Sequence, residues 1–301
     1  MGSLVRLRLL GDDAEHLAAV AESAFDEIAR VERLLSWRDA GGETARINRE
    51  AAERPVLVDF EMCDVLAACL RGTAETEGYF DVAAGERRGV SPTCGRIALD
   101  VDRRLVRFTE SGVKLDFGAF GKGYALDRAA AEVRRYGVTD ALLDAGTSSV
   151  LALGDNAGRP WTVGLRNPLP KLPDRRESWP EELQQLTLSN VALSCSATYS
   201  EHSPLPIPHS PLPPTASDLI DPHTGRPIGD SAGCAVVAAT AAEAEILSTA
   251  LVCMGSERAA AYTRNGGGDL LRAASNIFWI DAVDGLPRVV RLLDRNAEQH
   301  R

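Results

Sequence analysis

Apolar residues fall at three- and four-residue intervals through the first third of the chain. Leu17, Val20, Ala24, Ile28, Val31 and Leu35 share one face of a helix predicted over 13–35. A second apolar-faced helix is predicted over 60–76, with Gly78 ending it. A short helix ends near Arg49, and a Gly-rich turn over 118–123 opens a helix that runs to Tyr136. The pattern predicts a last helix over 240–254. Short apolar runs predict strands over 4–10, 55–58, 141–144, 150–153, 161–165 and 233–238. Two hairpins are expected, one from 104–109 and 113–117 joined near Ser111 and Gly112, the other from 277–282 and 289–293.

Helices and strands alternate irregularly, which favours an α+β layered fold over a doubly wound parallel sheet. Residues 169–182 and the Pro-rich 203–216 read as surface loops, and the last eight residues as frayed. Hydrophobic residues make up 45% of the 301-residue chain, enough to exclude disorder over most of it. The net charge of -10 argues against a nucleic-acid backbone as the main partner. No stretch approaches the ~20 apolar residues of a membrane span. No signal peptide is visible, and the expectation is a cytoplasmic protein, with an exported form trimmed of its leader left open. The six cysteines form no C-x-x-C pair and read as buried or free thiols. Only three lysines (Lys114, Lys122 and Lys171) stand against 30 arginines, which draws attention to each of them.

Four segments carry candidate chemistry. In 115–127 a strand ends in Asp116, glycines make a tight turn, and Lys122 sits at the mouth of a helix. Free N–H groups at a helix start, with a lysine beside them, suit a phosphate or pyrophosphate, although a plain strand–turn–helix connection reads the same way. The run Asp221, Pro222, His223, Thr224, Gly225 is a turn that either faces a ligand or merely reverses the chain. Glu245 and Thr249 are i and i+4 on one helix face and offer hard oxygens suited to Mg²⁺; the plain alternative is a solvated Glu and a Thr bonded to its own turn. Tyr79 and Phe80 beside Asp81 either stack on a flat ring or plug the core. The five histidines show no metal spacing.

In their order along the chain these segments resemble the ApbE family, the FAD:protein FMN transferases. The resemblance runs from Met1 to about Gly255 with a gap over 170–217. Met1-Gly2-Ser3 is like the family's opening M-G-T, and Leu35-Ser36-Trp37 before Arg46-Ile47-Asn48 is like its L-S-x-Y…S-E-L-x-R-x-N. Gly78 to Asp81 is like G-x-F-D, and Asp116…Lys122-Gly123-Tyr124…Asp127 is like D-L-G-x-x-x-K-G-Y-x-x-D. Trp161…Gly164…Asn167-Pro168, Ile220 to Gly225, and Ala244-Glu245…Ser248-Thr249-Ala250 complete the series.

The resemblance implies an ApbE-like, T-fold-related architecture of layered mixed or antiparallel sheets with helices packed on their faces. It implies one domain over 1–301, open to division into α/β lobes at about 1–135 and 136–295 with the FAD site between them. It implies transfer of the FMN half of FAD to a Thr or Ser hydroxyl of an acceptor flavoprotein, with AMP released and Mg²⁺ assisting. Trp37, Tyr79, Phe80, Asp81, Asp116, Lys122 and Leu219 would contact FAD. The Ala119 carbonyl, Glu245 and Thr249 would hold the metal. Three departures stand out. The family's His three residues before the Asp-Pro aspartate is Asp218 here, which becomes the candidate base, with His202 and His209 on the Pro-rich insert as outside candidates. Gly-Gly-Asp/Asn appears as Gly146-Thr147-Ser148, and Ser-Gly-Asp-Tyr as Ser196-Ala197-Thr198-Tyr199. The usual metal Asp is Glu245. These departures leave two other readings open: an FAD pyrophosphatase yielding FMN and AMP, and a flavin-binding protein with impaired catalysis.

Overall fold

The computed structural model describes residues 3–83, 95–146, 148–169, 180–198, 217, 219–229, 232–283 and 286–295. Its centre is a seven-stranded sheet built from β1 (Arg6–Leu9), β5 (Ala141–Asp144), β6 (Ser149–Leu153), β9 (Ala192–Ala197), β12 (Gly233–Ala238), β13 (Ala274–Val283) and β14 (Leu286–Asp294). The spatial order is β1-β5-β6-β9-β12-β13-β14, and every neighbouring pair is antiparallel. A smaller sheet joins β2 (Val56–Leu57), β4 (Leu105–Phe108) and β3 (Ile97–Asp100). Two-stranded ribbons form from β7 (Trp161–Arg166) with β8 (Glu182–Leu188), and from β10 (Ile220–Asp221) with β11 (Arg226–Pro227).

The helices cover one face of the large sheet. α1 (Ala14–Leu35) buries Val20, Ala24, Ile28, Val31 and Leu35, and Asp13 caps it by accepting from Glu15 N and His16 N. It packs on α4 (Gly121–Arg135), which packs on α5 (Ala241–Met254). α5 is buried on nearly every side because the sheet lies under it while α4, α3 (Phe60–Glu75) and α6 (Ser256–Arg264) flank it. A capping box between Thr240 and Glu243 starts α5. α2 (Glu43–Glu50) and α7 (Asp269–Ala273) complete the set. The opposite face of the sheet is covered by the β7–β8 ribbon, whose Trp161, Leu165, Leu186 and Leu188 meet Leu193, Val237 and Phe278 in a separate apolar cluster.

The chain is therefore α+β with antiparallel sheets and helices on their faces, as expected. One expected hairpin is corrected. β4 pairs with β3 and β2, whereas 113–117 forms no strand. The true turn spans 101–104, with Asp100 accepting from Arg103 N and Arg104, not a glycine, at φ 53°. Residues 113–117 run extended because Asn48 accepts from Leu115 N and Asp116 N donates to the Val82 carbonyl. The sequence reading also passed over β8, β9, α6 and α7. The loops expected at 169–182 and 203–216 and the frayed last residues fall largely outside the described residues, and β8 begins within the first of them, at Glu182. The described cysteines, all but Cys94, are free thiols. Among the described residues, no helix is long and apolar enough to cross a membrane.

Candidate functional site

Glu245 and Thr249 lie one turn apart on α5, on the side that faces the ends of β6 and β9. Glu245 is only 4% exposed, so the plain alternative of a solvated carboxylate fails. Its Oε1 accepts from Ser149 Oγ at 2.6 Å and lies 3.6 Å from Lys122 Nζ. Its Oε2 is buried and has no hydrogen-bond partner among the described residues. A buried carboxylate oxygen left alone costs ~1–3 kcal/mol, so the arrangement favours a cation at that oxygen. Thr249 Oγ1 is 3.2 Å from Ser196 Oγ, which is 2.8 Å from Ser248 Oγ, which is 3.1 Å from Ser194 Oγ. Among the described residues no group of three or more His, Cys, Asp or Glu side chains gathers, so a zinc-type cage is absent there. One carboxylate with hydroxyl and carbonyl oxygens matches what Mg²⁺ accepts when substrate phosphates complete its shell.

The 116–127 segment faces this group. Asn48 pins its start, accepting from Leu115 N at 2.7 Å and donating to the Leu115 carbonyl at 3.0 Å. Asp116 then folds back, one oxygen accepting from Gly118 N at 2.9 Å and the other from Trp37 Nε1 at 3.2 Å. Lys122 Nζ donates to the Gly118 carbonyl at 3.3 Å and so links that turn to Glu245. The rest of the motif is architecture. A Cβ on Gly123 would lie 2.4 Å from the Ala241 carbonyl oxygen, so glycine there permits α4 to meet the start of α5. Tyr124 Oη donates to Glu61 at 2.8 Å, and burial with that carboxylate pushes the phenol's pKa upward. Asp127 accepts from the N–H groups of Ala241 and Ala242, and burial raises its pKa to about 6.

A second cluster lies toward the other end of α5. The rings of Tyr79 and His223 are 4.4 Å apart, and the Arg258 guanidinium sits 5.0 Å from the Tyr79 ring. His223 holds its place through Nε2 and the Glu77 carbonyl, 3.1 Å apart. Asp221 organises the turn, accepting from His223 N and Thr224 Oγ1. An open depression of ≈ 490 Å³ beside it is lined by Met254, Gly255, Ser256, Glu257 and Arg258. Cys253 Sγ reaches the Ile220 carbonyl at 3.7 Å, tying this turn to α5 eight residues beyond Glu245, about 12 Å at ~1.5 Å per residue. The 221–225 turn thus meets α5 about two helical turns beyond Glu245.

The predicted residues separate accordingly. Trp37 bonds Asp116, Asp116 bonds Gly118 N, and Lys122 links the Gly118 carbonyl to Glu245, one turn from Thr249, while Tyr79 belongs to the second cluster. Asp81 is half-buried and accepts from Ala83 N. Leu219 packs against the main core. Phe80 is corrected: at 1% exposure it is a core side chain, packed near Gly72 of α3, whereas Tyr79 beside it is only partly buried. Asp218, His202 and His209 lie outside the described residues, as do Thr147 and Tyr199. Ser149, whose hydroxyl meets Glu245, was missed, and Ser196, which meets Thr249, was noted only within the altered Ser196-Ala197-Thr198-Tyr199 motif. On β9 the alternation of Ser194 and Ser196 with Leu193 and Cys195 puts both hydroxyls on the face toward α5.

The sequence model of the ApbE family matches residues 1–271. The chain is 26% identical over 295 residues to the FAD:protein FMN transferase of Salmonella typhimurium, covering 89% of this chain and 80% of that protein. It is 31% identical over 159 residues to the FAD:protein FMN transferase of Rhodobacter capsulatus, covering 53% of this chain and 28% of that one. Among solved structures, the ApbE protein of Thermotoga maritima superposes with a TM-score of 0.79 at 20% identity, covering 99% of this chain and 96% of that one. The flavin transferase ApbE of Vibrio cholerae gives 0.76 at 20% identity with the same coverage. With nine-tenths of its length matched to that sequence model and its fold shared with these structures, this chain belongs to the ApbE family.

Proposed function

We propose that this chain transfers the FMN moiety of FAD to a Thr or Ser hydroxyl of an acceptor flavoprotein and releases AMP, with Mg²⁺ assisting. The observation that carries this reading is the buried Glu245 carboxylate, its second oxygen unpartnered, beside Lys122 and one turn from Thr249. Glu245 Oε2, Thr249 Oγ1 and the Ala119 carbonyl would hold the metal. Bound Mg²⁺ supplies charge neutralisation at the pyrophosphate and orients the phosphorus under attack. Lys122 places a full positive charge against the pyrophosphate and the AMP oxygen as it departs. Trp37 and Tyr79 offer ring faces, and Asp81, Asp116 and Leu219 bound the rest of FAD. The new bond joins the acceptor oxygen to the FMN phosphorus, and the phosphorus–oxygen bond to AMP breaks. The acceptor's hydroxyl proton passes to Asp218. An ordinary Asp, with a pKa near ~3.9, is a weak base at neutral pH, so a slow chemical step is expected. The two lobes, about 1–135 and 136–295, act as one unit with FAD between them.

The test is incubation with FAD, Mg²⁺ and candidate acceptor flavoproteins from the same genome, following covalent flavin fluorescence in denaturing gels together with AMP release. Labelled acceptor with AMP in equal amount supports transfer. AMP and free FMN without labelling would replace it with hydrolysis. FAD binding without turnover by either route would replace it with a flavin carrier.

A further inference from the structure

We propose that Ser149 is a positioning residue for the cation site: its hydroxyl fixes the Glu245 carboxylate so that the free oxygen is presented to the cation. This rests on the reading of Glu245 as a cation ligand. Ser149 is the first residue of β6, buried, and paired in register with Ser194 of β9. Its Oγ donates to Glu245 Oε1 at 2.6 Å, the length of a hydroxyl–carboxylate bond to a charged acceptor. Ser149 has one hydroxyl proton, and the short bond to Glu245 uses it, so its 3.4 Å contact to Ser148 Oγ is the weaker competitor for that proton.

The geometry divides the two carboxylate oxygens. Ser149 and Lys122 both address Oε1, and Oε2 is left buried with no partner among the described residues. A bond made only to anchor α5 on the sheet would gain by satisfying both oxygens. Anchoring one while leaving the other bare is what an oriented metal ligand requires. Glu carries one more rotatable bond than Asp, so this carboxylate depends more on an outside group for its direction. Ser194 supplies the comparison. It is equally buried on the same sheet face, but its hydroxyl meets Ser248 and touches no residue assigned to the cation.

The experiment measures Mn²⁺ binding by calorimetry, with and without FAD, for the wild type, Ser149→Ala, Ser149→Cys and Ser194→Ala. Thermal midpoints in EDTA are recorded alongside. Ser149→Ala is expected to weaken Mn²⁺ binding about 10- to 100-fold, the usual effect of removing a group that orients a ligand. Ser149→Cys, nearly the same size with a weaker donor, keeps the packing and is expected to weaken it several-fold, so an unfolded Ala variant does not end the test. Ser194→Ala is expected to lower the midpoint while binding Mn²⁺ as the wild type does. In a Glu245→Gln background, Ser149→Ala should produce no further loss. Unchanged Mn²⁺ affinity in folded Ser149→Ala or Ser149→Cys overturns the assignment, as does an equal loss in Ser194→Ala. If the wild type itself binds no Mn²⁺ in either condition, the cation reading of Glu245 fails first and takes this one with it.

Discussion

The two faces of the seven-stranded sheet use the same strands for different ends. On the β7–β8 side the strands present Val150, Ala152, Leu193, Ala235, Val237 and Phe278, and Trp161 covers them with its indole N–H satisfied by the Leu153 carbonyl. On the α5 side the same β6 and β9 present Ser149, Ser194 and Ser196, each bonded to Glu245, Ser248 or Thr249. One face is dry and apolar. The other, apolar over most of its strands, also holds buried hydroxyls and a carboxylate with one bare oxygen. Buried polar groups persist only where partners offset their desolvation, so the face that carries them marks the place where a ligand is expected to complete the set.

Four substitutions sharpen or break this contrast. The largest effect belongs to Trp161→Ala, which empties the centre of the apolar face and should cost ~3–5 kcal/mol in urea unfolding. It should leave the Mn²⁺ and FAD affinity of the folded protein unchanged, and a matching loss of affinity would deny the separation of the faces. Lys122→Ala should reverse the pattern, slowing AMP release from FAD by ~10²–10³-fold with a small change in melting temperature.

Asp127 ties the start of α5 to α4, and its effect is on pH dependence. Its folded pKa of about 6 lies above the ordinary 3.8, so the folded state holds more protons between those values. Its contribution to stability is present below about pH 4 and lost as pH rises through about 6, by roughly 2–3 kcal/mol. Asp127→Asn should remove that slope, measured as the difference between the two proteins' urea midpoints from pH 4 to 7. An unchanged slope would show that the carboxyl titrates alike folded and unfolded. The smallest effect is Gly123→Ala, whose methyl would meet the Ala241 carbonyl; a loss of ~1–3 kcal/mol is expected in the same unfolding assay.

How much of this could be read in the sequence depended on whether a signal was local. α1 announced itself through its apolar spacing and the Asp13 cap, and Lys122, Glu245 and Thr249 through their places at helix starts and i, i+4 positions. β3 went unseen because its turn to β4 uses Arg104 in the left-handed region instead of a glycine. Ser149 and Ser194 went unseen, and Ser196 was noted only within an altered motif, because a serine in a strand means little until register aligns it with its neighbours; Ser149 opposite Ser194 is a tertiary fact. Tyr79 and Phe80 form one aromatic pair in the sequence, but the chain at Gly78, with φ 82°, leads into a turn that sends Phe80 into the core. Within Lys122-Gly123-Tyr124…Asp127, one motif in the sequence divides into a single residue for the site and three for the fold.

The most direct measurement is an anomalous difference map at the manganese edge from crystals grown with FAD and Mn²⁺. The expected result is one strong peak within coordinating distance of a Glu245 carboxylate oxygen and Thr249 Oγ1, with the FAD pyrophosphate between that peak and Lys122. A peak elsewhere, or FAD bound with Glu245 Oε2 still unpartnered and no manganese beside it, would contradict the placement of the site on the α5 face.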